Sequence, residues 1–256
     1  MMLKEKIRKR QLTIGSWITL ANTAIAEIMA RAGYDWLTID MEHSSITVKD
    51  AQELIRVIEL CGVTPLVRVG HNQPNLIKRV MDSGAHGVIV PMVNSREDAA
   101  QAVASVKYPP LGFRGVGLAR AQKYGADFEG YRQWNQQDST VIVQVEHIKA
   151  VENLEAILSV EGVDGFIIGP YDLSGSLGVP GQFDHPEVKA ALEQVRKVAQ
   201  DRGALSGFHV IPPDLAELDK KIADGYLFIA HSLDILMLGE QCRATGKHIN
   251  NLSQKS

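Results

Sequence analysis

Cysteine is scarce in this sequence: Cys61 and Cys242 are the only two in 256 residues, far apart and in no C-x-x-C arrangement. That excludes a disulfide framework and a cysteine-based zinc site, and both read as small buried hydrophobes. No apolar run approaches the ~20 residues of a bilayer span, and the polar, basic opening from Met1 to Gln11 lacks the apolar stretch of a secretory signal. The expectation is a cytoplasmic protein with no membrane partner, in which the sequon Asn251-Leu252-Ser253 has no secretory context. An excess of one charge is missing too. The net charge is −3, and Lys and Arg are scattered among Asp and Glu, which gives no electrostatic footprint for nucleic acid. There is no G-x-S-x-G elbow, no Walker loop and no H-E-x-x-H.

What is present is 45% hydrophobic residues against 22% charged, enough for a sizeable core. Short runs rich in Val, Ile and Leu, each bounded by Gly, Pro, Asn or Asp, read as buried parallel strands. There are eight: Leu12 to Trp17, Trp36 to Asp40, Pro65 to Val69, Gly87 to Pro91, Val141 to Glu146, Gly165 to Gly169, Leu205 to Val210 and Tyr226 to Ala230. Between them lie segments with helical spacing. Thr47 with Asp50 and Ser95 with Asp98 fit helix starts, Gly33 and Gly84 fit helix stops, and Pro186 opens a helix running to about Arg202. One long insertion, at about 107–139, separates strands four and five. Eight β-α units with no linker predict a single-domain (β/α)8 TIM barrel over residues 1–256. The rival, a doubly wound sheet, would need a phosphate-binding turn. Gly115-Val116-Gly117 lacks the third glycine and does not open the first β-α unit.

Barrel active sites lie at the carboxyl ends of the strands. The polar residues there are Asp40-Met41-Glu42-His43 after strand two, Arg68 ending strand three, Gln144 and Glu146 in strand five, and Gly169-Pro170-Tyr171-Asp172 after strand six. Gln144 and Glu146 are two apart, so they share a face. Glu146 and Asp172 on adjacent strand ends, with an amide nearby, make a hard oxygen-donor set suited to Mg²⁺ or Mn²⁺. They equally read as structural, Glu146 pairing with Lys149 or an arginine and Asp172 capping a helix that begins near Leu173. His43, three residues after Asp40, reads either as an imidazole oriented by that carboxylate or as a loop histidine. Arg68 suits a carboxylate or enolate oxygen, or an ion pair with Glu146, Asp172 or Asp40. Trp17 reads as pocket wall or core, and His209 and His231 as structural histidines. No lysine falls in any of the eight strand runs, which argues against Schiff-base chemistry.

At this point the sequence resembles the HpcH/HpaI family of class II pyruvate aldolases, within the phosphoenolpyruvate/pyruvate barrel superfamily. The resemblance is carried by Gly15-Ser16-Trp17, Asp40-Met41-Glu42-His43, Val67-Arg68-Val69, Arg114-Gly115-Val116-Gly117 with Ala119-Arg120-Ala121, Gln144-Val145-Glu146 and Gly169-Pro170-Tyr171-Asp172-Leu173-Ser174. It implies that Glu146 and Asp172 bind a divalent metal, Mg or Mn with Co as a further option, shared with the oxygens of a 2-oxo acid. Arg68 would hold enolate charge. Asp40 and His43 would move the proton of the hydroxyl on carbon 4. Gln144 would hold the metal-side oxygens, Trp17 would line the pocket, and backbone near Gly169, Pro170, Tyr171 and Asp172 would receive the pyruvate carboxylate. Tyr171 stands where relatives commonly have a small residue, and Ser44-Ser45-Ile46 where they often have Ala-Pro-Asn. The resemblance also implies a homo-oligomer, a hexamer, with the last helix packed on or exchanged with a neighbour.

The expected function is a metal-dependent carbon–carbon lyase cleaving a 4-hydroxy-2-oxo acid to pyruvate and an aldehyde. The substrate is either a sugar-derived 2-keto-3-deoxy acid or a linear dicarboxylate. Oxaloacetate decarboxylation at the same site and a catalytically silent barrel that binds a 2-oxo acid are the alternatives.

Overall fold

The computed structural model describes residues 3–253, so the first two and last three residues of the expected 1–256 domain lie outside the described residues. The eight apolar runs form β1 (Thr13–Ile18), β2 (Trp36–Asp40), β3 (Thr64–Arg68), β4 (Gly87–Val90), β5 (Thr140–Val145), β6 (Gly165–Ile168), β7 (Ser206–Val210) and β8 (Phe228–Leu233). Each pairs in parallel with its neighbours, and β8 closes on β1, giving a (β/α)8 barrel. Every strand but the last begins and ends within a residue of the sequence expectation. β8 is shifted toward its carboxyl end because its register with β1 jumps between Gly15 and Trp17, a bulge that carries pairing on to Leu233.

Helix punctuation follows the sequence. Thr47 and Asp50 form a reciprocal capping box, and Ser95 Oγ accepts from the Asp98 N–H at 3.1 Å. Gly33 and Gly84 end helices in the left-handed region at φ 97° and 100°. Pro186 is the first residue of the helix Pro186–Arg202.

Strand side chains alternate between two cores. The outward set, Val and Ile for the most part, packs under the helices, each such side chain worth about 1.5–3 kcal/mol when fully buried. The inward set fills the barrel: Trp36 stacks on Phe228 at 4.2 Å between ring centres, among Leu66, Ile89, Ile142 and Ile167. Leu3 and Ile7 of the helix Leu3–Arg8 pack into this cluster and close the amino-terminal end.

The insertion folds as a short 3₁₀ segment, Arg120–Gly125, and a helix, Phe128–Asp138. Buried Lys107 ties it down by donating to the carbonyls of Asn135 (2.8 Å) and Gln136 (3.1 Å) and to Ser139 Oγ (2.8 Å). Those groups finish the helix, whose last carbonyls otherwise have no partner. Arg114 lies over the Tyr108 ring and donates to Tyr131 Oη at 2.9 Å, so this residue of the Arg114-Gly115-Val116-Gly117 motif is structural.

The cysteine expectation fails. Cys61 is half-buried and Cys242 is exposed. Cys242 lies on the terminal helix Asp234–Ser253, in which Asp234 is buried, Met237 packs partly against the core and the following turns are largely exposed. No helix among the described residues is long and apolar enough to cross a membrane.

Candidate active site

The interior of the barrel changes character along each strand. β2 presents Trp36, then Thr38, then Asp40; β3 presents Leu66, then Arg68; β5 presents Ile142, then Gln144, then Glu146 just past its end. Inward side chains recur every second residue, so the apolar residues make a floor and the polar ones meet at the carboxyl mouth. Asp40, Arg68, Gln144 and Glu146 are all buried.

Asp40 and Arg68 are register partners on adjacent strands, which sets their side chains side by side. Arg68 Nε donates to Asp40 Oδ1 at 2.9 Å and Nη2 to Oδ2 at 2.6 Å, a two-pronged pair. Burial pushes the Asp40 carboxyl up, but the guanidinium and the N–H groups of Glu42 and His43 outweigh it and hold the group below its ordinary value. Arg68 also lies over the Trp17 ring, 4.4 Å from its centre, and Trp17 in turn contacts the His209 ring at 5.2 Å. Trp17 is buried and serves as wall and core at once.

The imidazole of His43 is not oriented by Asp40, as the sequence spacing had suggested. What Asp40 Oδ1 accepts from His43 is its backbone N–H, at 3.3 Å, beside the Glu42 N–H at 3.0 Å and Arg68 Nε at 2.9 Å. The His43 ring is exposed, with Nε2 3.9 Å from Glu42 Oε2. Glu42 is a residue that sequence reasoning passed over. Its carboxylate is drawn inward to 3.4 Å from Arg68 Nη1, and burial pushes it up to about 7, with Asp40 and Asp172 adding to the rise. The signal was its position inside the Asp40-to-His43 string, but nothing in the spacing says that it turns in.

On the opposite rim Glu146 Oε1 accepts the Met92 N–H at 2.6 Å, and Gln144 Nε2 donates to Oε2. It does not pair with Lys149. Burial pushes its carboxyl up to about 7; Glu42 and Asp172 add to this, and the two donors oppose it. Asp172 is exposed in the first turn of the short helix Pro170–Ser176, whose cap is Gly169, so it is not itself a cap. Tyr171 is turned outward, its ring edge-on to Phe183 at 4.9 Å.

Three carboxylates thus face one another with the one guanidinium already held by Asp40. Gln144 Oε1 and Glu42 Oε2 are sealed from solvent with no hydrogen-bond partner, Glu42 Oε2 having only its 3.4 Å ion pair with Arg68 Nη1. A hard cation suits this donor set, since it answers both the charge deficit and the unpaired oxygens. Among the described residues no three of His, Cys, Asp and Glu stand close enough to hold an ion alone. The rest of a coordination sphere would be oxygen from substrate and water.

Gly169 leaves the space that the Gln144–Glu146 pair occupies. A Cβ there would sit 3.1 Å from Gln144 Nε2 and 3.2 Å from Glu146 Cβ. Gly169→Ala is therefore expected to displace Glu146 and weaken divalent-metal affinity about 10–100-fold, read by calorimetric titration, with little change in melting temperature.

The protein family described as HpcH/HpaI aldolase/citrate lyase matches residues 13–239. The chain is 41% identical over 239 residues to a 2-keto-3-deoxy-L-rhamnonate aldolase of Salmonella typhi, covering 93% of this chain and 88% of that one. Among solved structures it resembles an HpcH/HpaI aldolase/citrate lyase family protein from Burkholderia cenocepacia, with 34% identity, a TM-score of 0.91 and coverage of 97% and 98%. An HpcH/HpaI aldolase from Desulfitobacterium hafniense gives 33%, 0.89, and 97% and 96%.

Proposed function

Because this chain belongs to the HpcH/HpaI aldolase/citrate lyase family and is a carbon–carbon lyase of the aldolase kind, we propose that it cleaves a sugar-derived 2-keto-3-deoxy acid to pyruvate and an aldehyde. It does so as a cytoplasmic, metal-dependent homo-oligomer. The observation that carries this reading is the meeting of Glu146, Asp172 and the unpaired Gln144 oxygen opposite the Asp40–Arg68 pair at the barrel mouth. The relatives named for a deoxy sugar acid favour that substrate over the dicarboxylate.

Glu146 and Asp172 are the residues that would hold the ion, Mg or Mn by their hardness. Bound there, it supplies Lewis acidity that polarises the keto group of the substrate. Gln144 fixes the Glu146 carboxylate through its amide and keeps its own oxygen without a protein partner. The helix Pro170–Ser176 has no side-chain cap, and its N–H groups at Tyr171 and Asp172 are assigned to the substrate carboxylate. His43 takes the proton of the hydroxyl on carbon 4, with Glu42 the carboxylate beside its ring. The O–H electron pair becomes the new carbonyl, the bond between carbons 3 and 4 breaks, and its pair moves toward the keto oxygen. Arg68, fixed by Asp40 and Trp17, holds the charge that collects there until carbon 3 is reprotonated.

The test is exchange of pyruvate methyl protons into deuterated water, followed by NMR. Exchange that needs a divalent metal is the expected result, and its absence with every metal tried would sink the reading. In the same series His43→Ala is expected to lower aldol cleavage about 10²–10⁴-fold while oxaloacetate decarboxylation, which needs no hydroxyl proton removed, changes far less.

Assembly is supported by the terminal helix. Ile235, Leu238, Ile249 and Leu252 are exposed on it, and with Cys242 they fall on one stripe at spacings of three, four and seven. A second copy of the chain is the natural cover, and a reducing compartment suits two unpaired thiols. Light scattering is expected to give a multiple of the 28.1 kDa chain, a hexamer by the family's habit, and a chain ending at Leu233 is expected to be smaller in assembly. A monomeric mass for the whole chain would refute this.

A further inference from the structure

Five residues other than glycine stand in the left-handed region among the described residues: Arg10, Met92, Lys123, Tyr124 and Ser232. One of them, Met92 at φ 52°, donates its N–H to Glu146 Oε1 at 2.6 Å, and the mechanism gives it no part. The pairing of β4 with β5 ends at Val90 and Val143. Pro91 has no N–H, so Met92 carries the first donor past β4, and it is spent on a side chain just past the end of the neighbouring strand.

A methionine in this conformation is uncommon and strained, and it persists only where the surroundings over-determine it. Here they do. Pro91 and Val93, on either side, are buried. Asn94 is pinned from two helices. Its N–H donates to Asp98 Oδ2 at 3.0 Å, in the helix Arg96–Val106, and its carbonyl accepts from Asn153 Nδ2 at 2.9 Å, at the end of the helix Ile148–Glu152 that follows Glu146. With Val93 and Asn94 fixed, the φ of Met92 sets where its N–H points, and at 52° it points at the carboxylate. The Met92 side chain is 48% exposed, so packing of that side chain is not what holds the turn.

This inference rests on the proposed function, in which Glu146 helps to hold the divalent ion. We propose that Met92 is a positioning residue for that ligand: its left-handed backbone, braced through Asn94, presets the Glu146 carboxylate for the cation. The residue acts through its N–H and not through its side chain. Two donors then orient one carboxylate, the Met92 N–H on Oε1 and the Gln144 amide on Oε2, and each oxygen keeps a lone pair for the ion. Partners of this kind fix the direction of a ligand, and losing one typically costs about 10–100-fold in metal affinity.

The experiment titrates Mn²⁺ into the metal-free protein by calorimetry and records the melting temperature of each variant. Met92→Val, whose branched side chain is a poor fit to this φ, is expected to turn the N–H away and weaken Mn²⁺ binding by about 10–100-fold. Met92→Gly takes the turn without strain and is expected to bind at least as tightly as the wild type. Asn153→Ala removes the brace and leaves the donor in place. It is expected to weaken binding severalfold in the wild-type background and far less in Met92→Gly, because glycine has no strain to release. Asn153→Ala also carries the test if the valine variant does not fold. Mn²⁺ affinity unchanged in Met92→Val and Asn153→Ala overturns the inference, even where the melting temperature falls, since the turn is then structural only. A loss that Met92→Gly shares in full overturns it too, since the side chain is then what matters. A wild type that binds neither Mn²⁺ nor Mg²⁺ removes the reading beneath it, and the inference falls with it.

Discussion

Glu146→Gln is expected to lower kcat/KM for cleavage by about a thousandfold or more, and at the same time to make the metal-free protein harder to unfold. The first effect follows from losing one of the two carboxylates assigned to the cation, whose charge stabilisation is worth several kcal/mol, each 1.36 kcal/mol being tenfold. The second follows from the burial of Glu146 against Glu42 and Asp172, which raises its carboxyl to about 7. An acid with a raised folded pKa binds its proton more tightly in the native state, so stability falls as pH climbs from about 4.5 to about 7. For the fully ionised group the loss is on the order of 3 kcal/mol. Glutamine fills the same space without the charge, and the unpaired Gln144 oxygen can turn to meet its NH₂ group. Urea unfolding of metal-free wild type and variant at pH 5 and pH 8 checks the sign: the gap in favour of the variant should open at pH 8. Adding Mg²⁺ or Mn²⁺ should then stabilise the wild type and leave the variant nearly unmoved. A variant that is less stable than the wild type at pH 8 would refute the picture of crowded carboxylates.

Arg68→Met carries the largest expected loss of stability. It leaves Asp40 buried with no counter-charge, and breaking a buried pair from one side costs about 3–5 kcal/mol. Activity should fall at least about a hundredfold with it, since the group that holds charge on the keto oxygen is gone. Arg68→Lys keeps the charge but cannot bond both Asp40 oxygens or lie flat on Trp17, and should fall between. The combination Asp40→Asn with Arg68→Met separates the two effects. It should recover most of the stability and none of the activity, because the site no longer contains an isolated charge. Chemical denaturation of the three variants, with cleavage rates on the same preparations, decides it.

Much of the site was readable because it depends on short-range rules. Val, Ile and Leu runs mark strands, and an interval of two residues puts Gln144 and Glu146 on one face whatever the rest of the chain does. Where two strands must be aligned, sequence reasoning stops. Asp40 and Arg68 meet because β2 and β3 pair in that register, and no local signal distinguishes this from Asp40 meeting His43. The same gap hid Glu42, which turns inward toward Arg68. His209 was readable as a strand residue, but its contact with the Trp17 ring depends on how β7, β8 and β1 align. Of the two readings left open for Asp172, the helix cap falls away because Gly169 and Pro170 start the helix before it. Cys242 was misjudged because a helix that leaves the barrel keeps an apolar stripe without a core beneath it.

The flat stack of Trp36 on Phe228 has a bearing on how such an enzyme changes over evolutionary time. The rings and the aliphatic layer around them hold the strands together below the chemistry, and the residues that shape the opening sit one inward step higher on the same strands. Altering His43 or Tyr171, exposed just past β2 and β6, therefore exchanges a single rung on a ladder whose lower rungs are untouched. A lineage can try new carbon skeletons one strand at a time while its scaffold tolerates the experiment, and directed evolution aimed at those exposed rungs inherits the same freedom.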